Sequence, residues 1–351
     1  MKSCWEAWLS QPLESLVALL CSFAHCREDA LRNVARLFAM LALVGTSAAF
    51  AQGYPNRPIK VVVPWPPGQA TDIVARLVVE KLVPMLGQPI VIDNRPGAGG
   101  VIGSEAVSKA QPDGYTLLAG SSGPISISPN VQKVAYDPLN DFAPICLVGT
   151  NSSVLVTYPS FPASNVKELI ALLKANPGKY SFASSGSGAT AHLMAVLFNS
   201  MANVTVTHVP YKGSSQSVTD VVSGQVAYTI ETVPAVLSYV KSGRLKALAV
   251  SSAARSASMP ELPTITEAGD LPGYDMFAWM GFLAPARTPR ELRMRLVAET
   301  QKVLQMPDIR ERLISLGYEP AGLGPEEFAE FLKKQHARYG AIVKQADLKA
   351  D

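Results

Sequence analysis

The chain has 351 residues, 48% of them hydrophobic and 17% charged, so it is long enough for two domains and too apolar to be disordered. Lys and Arg total 31 against 28 Asp and Glu, a formal net charge of +3 with no basic block, which excludes an electrostatic nucleic-acid footprint. Four cysteines are too few for a disulfide framework.

The first 51 residues read as a targeting segment. Arg32 and Arg36 precede the apolar run Leu37–Val44, and small residues lead to Ala49-Phe50-Ala51, an A-x-A cleavage pattern before Gln52. The run is shorter than the ~20 apolar residues of a membrane span. Residues 1–30 carry Glu6, Glu14, Glu28 and Asp29, which do not suit a leader, so translation is expected to begin near Leu31, with a long functional prefix as the alternative. Removal of this segment takes Cys4, Cys21 and Cys26 with it. Only Cys146 stays, in an apolar run that predicts a buried, inert thiol.

From Ile59 the chain alternates strands and helices. The β-branched run Ile59–Val63 predicts a strand stopped by Pro64 and Pro66-Pro67-Gly68. Apolar residues at helical spacing over 70–86, closed by Gly87, predict a helix. Strands follow at 89–93 and 115–119, with a short helix over 101–110 between them. After a long apolar segment, Ile145–Thr157, the series restarts. Helices are expected at 165–174, 191–201, beyond 210–215 and at 233–241. Strands are expected at 180–183, 204–209, 226–230 and 245–250. A Pro-rich stretch, 259–274, precedes a strand-like run at 277–284. The tail from Pro289 reads as helical, broken at Pro307, Gly317 and Gly324, and packing back on the first unit. Alternation of this kind argues for parallel sheets covered on both faces.

The loops after the strands carry the chemistry. In open α/β sheets ligands bind beyond the carboxyl ends of strands. Here those loops are small and hydroxyl-rich: Gly68–Thr71, Ser121-Ser122-Gly123, Ser184–Thr190 and Lys212–Ser215. Three of them open helices, whose first N–H groups are unpaired and whose ends carry partial positive charge. Small residues let an anion approach those groups closely. Any one such loop is ordinarily just a turn or cap; the set, on an exported two-unit chain, predicts a ligand cleft.

Enzyme signatures mostly fail. Gly186-Ser187-Gly188-Ala189-Thr190-Ala191 matches G-x-G-x-x-A, but no acidic residue follows at the ~20-residue distance a dinucleotide ribose needs. G-x-S-x-G is absent. The histidines His192, His208 and His336 are scattered, so neither a metal nor a cofactor is expected. A packing or capping role for His192 competes with a role in the cleft.

Five stretches together carry a resemblance: Tyr54–Ile59 leading into Pro66-Pro67-Gly68 and Asp72–Arg76; Asp93–Gly100; Gly186-Ser187-Gly188 with His192-Leu193; Val209–Gly213; and Ala247–Ser251 with Pro263-Thr264 and Glu267-Ala268-Gly269. In order and spacing the chain resembles the extracytoplasmic solute receptors of tripartite tricarboxylate transporters, the Bug family. The resemblance implies a two-lobed periplasmic-binding-protein fold of type II-like α/β kind. Each lobe would be a mostly parallel sheet flanked by helices, with the ligand cleft between lobes. The first lobe would comprise about 52–152 plus 277–351, and the second about 153–276, with hinge crossings near 150 and 276. It implies a non-catalytic, periplasmic, monomeric receptor for a small carboxylate, an organic acid or acidic amino acid, delivered to membrane transporter subunits.

Carried onto this sequence, one jaw of the clamp is Trp65, Pro67, Gly68, Gln69, Ala70, Thr71 and Asp72 with Ser121 and Ser122. The other is Ser185, Gly186, Ser187, Gly188, Ala189 and Thr190, with His192, and Lys212, Gly213 and Ser214. Two departures bear on the ligand: Gln69 stands where the family usually has glycine, and Ala189 precedes the hydroxyl of Thr190. Glu231, where relatives often carry Asp, either faces an amine on the ligand or is a surface residue. Two other readings stay open: a sensor whose loaded form docks on a membrane signalling protein, and an exported enzyme using Lys212 or His192 as base.

Overall fold

The structure is a computed structural model that describes residues 53–345. The targeting segment, the start near Leu31 and the first three cysteines lie outside the described residues.

The first unit opens β1 (Ile59–Val63), α1 (Ala70–Leu86), β2 (Ile90–Asn94), α2 (Val101–Ser108) and β3 (Thr116–Ser121). Gly87 closes α1 in the left-handed conformation, φ 70°, as its position after the last apolar turn predicts. A wide turn at Gly123–Ile127 and the single-turn α3 (Ser128–Val131) follow β3. Neither was legible in the sequence. The long apolar segment is one strand, β4 (Phe142–Thr157), buried along nearly all its length.

The second series is α4 (Val166–Ala175), β5 (Ser181–Ser184), α5 (Thr190–Ala202), β6 (Thr207–Pro210), α6 (Ser214–Val222), β7 (Tyr228–Thr232), α7 (Val233–Lys241) and β8 (Lys246–Val250). The Pro-rich stretch holds a short helix, α8 (Ile265–Gly269), and leads to β9 (Phe277–Pro285). The tail folds as α9 (Arg290–Gln305), α10 (Pro307–Ser315), β10 (Tyr318–Leu323) and α11 (Pro325–Gln345). β10 corrects the all-helical reading of the tail. Its sequence, YEPAGL, has no strand pattern, and it forms because β4 offers it a free antiparallel edge.

Strand pairing divides at β4. From Phe142 to Ser152 it pairs with β9, within the order β2-β1-β3-β9-β4, and β10 flanks it on the other side. From Ser153 to Thr157 it pairs instead with β7 and β8, within the order β8-β4-β7-β5-β6. In the first sheet β1, β2, β3 and β4 run one way and β9 and β10 oppose them; in the second, β4 alone opposes the rest. Ser251 stitches the two crossings. Its hydroxyl accepts the Ser153 N–H at 2.9 Å and donates to the Met276 carbonyl at 2.7 Å.

Each sheet has its own apolar core. Val62, Leu118, Leu147, Leu283 and Phe328 gather around Trp279, whose ring meets Phe328 edge-on at 5.7 Å. Phe182, Leu193, Phe198, Tyr228 and Leu248 form the other. The tail returns to the first sheet, as expected, with α9 against α1 and β4 and α11 against β4. The end of α11 reaches further, since Tyr339 and Val343 join the second core and the Tyr339 hydroxyl donates to the Phe277 carbonyl at 2.6 Å. Cys146 is fully buried, and burial pushes its thiol up to about 12. Among the described residues no helix is long and apolar enough to cross a membrane.

Thr264 caps α8 by a reciprocal box: its hydroxyl accepts the Glu267 N–H at 3.1 Å while Glu267 accepts the Thr264 N–H at 3.0 Å. Thr264→Ala is expected to cost about 1 kcal/mol in urea unfolding, the usual worth of such a cap.

Candidate functional site

The carboxyl ends of β1, β3, β5, β6 and β7 face one crevice. Its deep part is an inner pocket of about 40 Å³, lined from the first sheet by Trp65, Gln69, Ala70, Thr71, Ser121, Ser122 and Asn151, and from the second by Ser153, Ser185, Thr190, Glu231 and Thr232. Trp279 and Tyr318 complete it. An outer cavity of about 540 Å³ opens above, sharing Trp65 and Ser185 and bordered by Gly97–Gly100, Gly186, Ser187, Tyr211 and Lys212. At ~10–15 Å³ per water-sized group, the inner pocket takes roughly three such groups, the bulk of one carboxylate head.

Three helices begin at this crevice. α1, α5 and α6 start after Gln69, Ala189 and Gly213, and none of the three has a side-chain cap. Their first-turn N–H groups and the partial positive charge of each helix end are therefore available to an anion. By contrast α4 and α8 start away from the crevice and are capped by Asn165 and Thr264.

The loop before α1 is pinned by Asp72. Its carboxylate accepts the Gly68 N–H at 2.9 Å, the Arg76 Nε at 3.0 Å and the Asn94 amide at 2.9 Å. Burial works to raise its pKa, but Arg76, the Gly68 N–H and Asn94 outweigh that and hold it below the usual carboxylate value. Asn94 also donates to the Trp65 carbonyl at 3.0 Å. Asp72 thus shapes the loop; it lines neither cavity. Trp65 is fixed in turn by donating Nε1–H to Ser121 Oγ at 2.9 Å, and Ser122 Oγ accepts the Trp279 N–H at 2.9 Å.

On the other side His192 sits behind its loop. Its Nδ1 accepts the Gly188 N–H at 3.2 Å and its ring stacks on His208 at 3.8 Å. His192 thus takes the capping role weighed for it: it holds the loop and lines neither cavity. Pro67, Gly68, Gly188, Ala189, Gly213 and Ser214 likewise shape the walls without lining the cavities. Lys212 borders the outer cavity rather than the inner pocket.

Loops of the two sheets touch directly. A Cβ on Gly99, in the left-handed conformation at φ +63°, would lie 2.7 Å from the Ser187 carbonyl oxygen. Ser128 donates to the Gly188 carbonyl at 3.3 Å, and a Cβ on Gly213 would lie 3.0 Å from the Pro66 ring. The two jaws meet through glycines because only bare backbone fits between them.

Five residues that line the inner pocket carry buried polar atoms without a protein partner: both side-chain atoms of Asn151, Thr232 Oγ1, Gln69 Oε1, Glu231 Oε1 and, on a ring packed in the first core, Trp279 Nε1. Such groups are costly unless something satisfies them. Glu231 is no surface residue; it is 2% exposed. Its Oε2 accepts the Ser214 hydroxyl at 2.9 Å and the Thr232 N–H at 3.3 Å. Burial pushes its carboxyl up to about 7, against the opposing effect of the Ser214, Thr232, Ser185 and Ser217 donors. Asn151, Ser153, Thr232, Trp279 and Tyr318 were missed by the sequence reading. The one available signal was Asn151-Ser152-Ser153, a polar triplet inside an apolar strand.

A family model described as the tripartite tricarboxylate transporter family receptor matches residues 74–348. The chain belongs to that family. Protein BugT of Bordetella pertussis is 36% identical over 90% of this chain and 99% of its own length. Two solved structures share the two-lobed α/β fold. An R. palustris protein with adipate has a TM-score of 0.82 at 33% identity, covering 85% of this chain and all of that one. MatC of Rhodopseudomonas palustris with bound malate has a TM-score of 0.78 at 32% identity, covering 83% and 100%.

Proposed function

We propose that this receptor closes on a small dicarboxylate or a related organic acid in the periplasm and presents it to the membrane subunits of a tripartite transporter. The observation that carries the reading is the meeting of two uncapped helix starts, those of α1 and α5, with the unpartnered amide of Asn151 in one buried pocket. Donors of this kind neutralise a carboxylate without a basic side chain, and none lines the inner pocket. The adipate and malate held by relatives support the same ligand class.

In this reading the lobes are about 52–152 plus 277–351 and about 153–276. The change of partners between Ser152 and Ser153 on β4, and the start of β9 at Phe277, support hinges at those two crossings. The inner pocket holds one carboxylate head, and the outer cavity, with Lys212 at its edge, takes the rest of the ligand. Residues 31–51 serve as the export leader, and the released chain works as a monomer.

A binding role is favoured over catalysis because Lys212 is exposed at the mouth and His192 Nδ1 is occupied by the Gly188 N–H. A thermal-shift panel of succinate, malate, adipate and citrate tests the reading. At least one should raise the melting temperature in proportion to the logarithm of its concentration. No shift from any carboxylate, together with turnover of an ester or phosphate substrate, would overturn it.

A further inference from the structure

Glu231 is a carboxyl group in a pocket read as a carboxylate site, with no cation to neutralise it. The groups around it are polar and uncharged. Of the other residues lining the inner pocket, only Tyr318 titrates in the ordinary sense, and burial holds its phenol above the usual range. Asp72, on α1, is turned to Arg76 and Asn94. Lys212 borders the outer cavity, and His192 is engaged with Gly188. The Ser214 hydroxyl and the Thr232 N–H both address Oε2, and Oε1 has no hydrogen-bond partner in the protein, so Oε1 is the oxygen left to meet a guest.

Two carboxylates brought together there would repel strongly in so dry a site. A proton between them removes that repulsion and turns it into a hydrogen bond, the arrangement of paired carboxyl groups that share one proton. We propose that Glu231 binds protonated, donating from Oε1 to the ligand's carboxylate, so that capture of a dicarboxylate takes up one proton from solvent above neutral pH. The inference rests on the carboxylate reading and adds to it a proton-coupled specificity residue.

The sign follows from the free protein. Because Glu231 titrates near 7, it already holds its proton below neutrality and must gain one above it. Affinity should therefore be flat on the acid side and weaken as pH rises. The expected change is about tenfold per pH unit above about 7 for a single proton taken up. The ligand's own carboxyls are ionised throughout that range.

Isothermal titration calorimetry with succinate, malate and adipate, from about pH 6 to about pH 8.5 at fixed ionic strength, tests this, with two buffers of different ionisation enthalpy to count protons. Wild type should lose roughly thirtyfold in affinity across the alkaline part and take up about one proton at the top of the range. Glu231→Gln should flatten the profile. Ser214→Ala, which removes a donor that favours the ionised form, should move the inflection to higher pH and keeps the test decisive if the Gln variant does not fold. Affinity independent of pH in wild type, or a slope that survives Glu231→Gln, overturns the inference alone. Affinity that rises with pH overturns it too, since binding would then release a proton rather than take one up. Failure of all three acids to bind at any pH overturns the carboxylate reading and this inference with it.

Discussion

Gly99→Val is expected to lower adipate affinity at least about a hundredfold, roughly 2.7 kcal/mol, while the chain stays folded. Two effects act at once. Gly99 has φ +63°, where a β-branched residue is strained by about 1–2 kcal/mol. The second effect is specific to the closed jaws: a Cβ there would sit 2.7 Å from the Ser187 carbonyl, a main-chain atom of the opposite jaw with little room to retreat. Backbone strain acts whether the jaws are open or shut, so it subtracts from stability; the overlap exists only when they meet, so it subtracts from binding. Gly178→Val is the matching control, because Gly178 has φ +72° and nothing within 4 Å of its Cβ position. It should lose stability and keep affinity. Calorimetry with adipate reads the affinity, and small-angle scattering should show the adipate-induced compaction of wild type missing in Gly99→Val. Wild-type affinity in Gly99→Val would show that the glycine contact is not part of closure.

The fold was legible wherever local chemistry decided it. β-branched runs bounded by Pro and Gly placed β1 over 59–63, and helical spacing placed α1 over 70–86 and α7 over 233–241. It failed where a partner decided it. β10 carries Pro320 and Gly322, and only the edge of β4 makes a strand of it. The site divides on the same line. Its loops were visible because small hydroxyl residues after strands have a chemical meaning of their own. Asn151, Trp279 and Tyr318 sit within strands and reach the pocket only because β4 passes from one sheet to the other, with Asn151 paired between Ala278 and Tyr318. No single segment encodes that arrangement. The sequence left two roles open to His192 for a related reason: it is one helical turn from the loop, and only the stack on His208, distant in sequence, turns its ring behind the wall.

Asn151→Leu should make the ligand-free protein more stable by about 2 kcal/mol and weaken succinate and adipate binding by roughly a hundredfold. Asn151 is 1% exposed, and neither of its amide atoms has a protein partner. Each such buried group costs about 1–3 kcal/mol, and a leucine of similar shape removes both. The same amide is a versatile binding group, able to donate to a carboxylate and to accept from a ligand hydroxyl. Stability and affinity should therefore move in opposite directions, which a residue serving only the fold would not do. Urea unfolding without ligand and calorimetry with succinate and adipate measure the two. A lower urea midpoint would mean that ordered water already satisfies the amide and that it serves the hinge strand. Undiminished affinity would remove Asn151 from the contact surface, and with it the argument that orphaned polar atoms mark where the ligand's oxygens go.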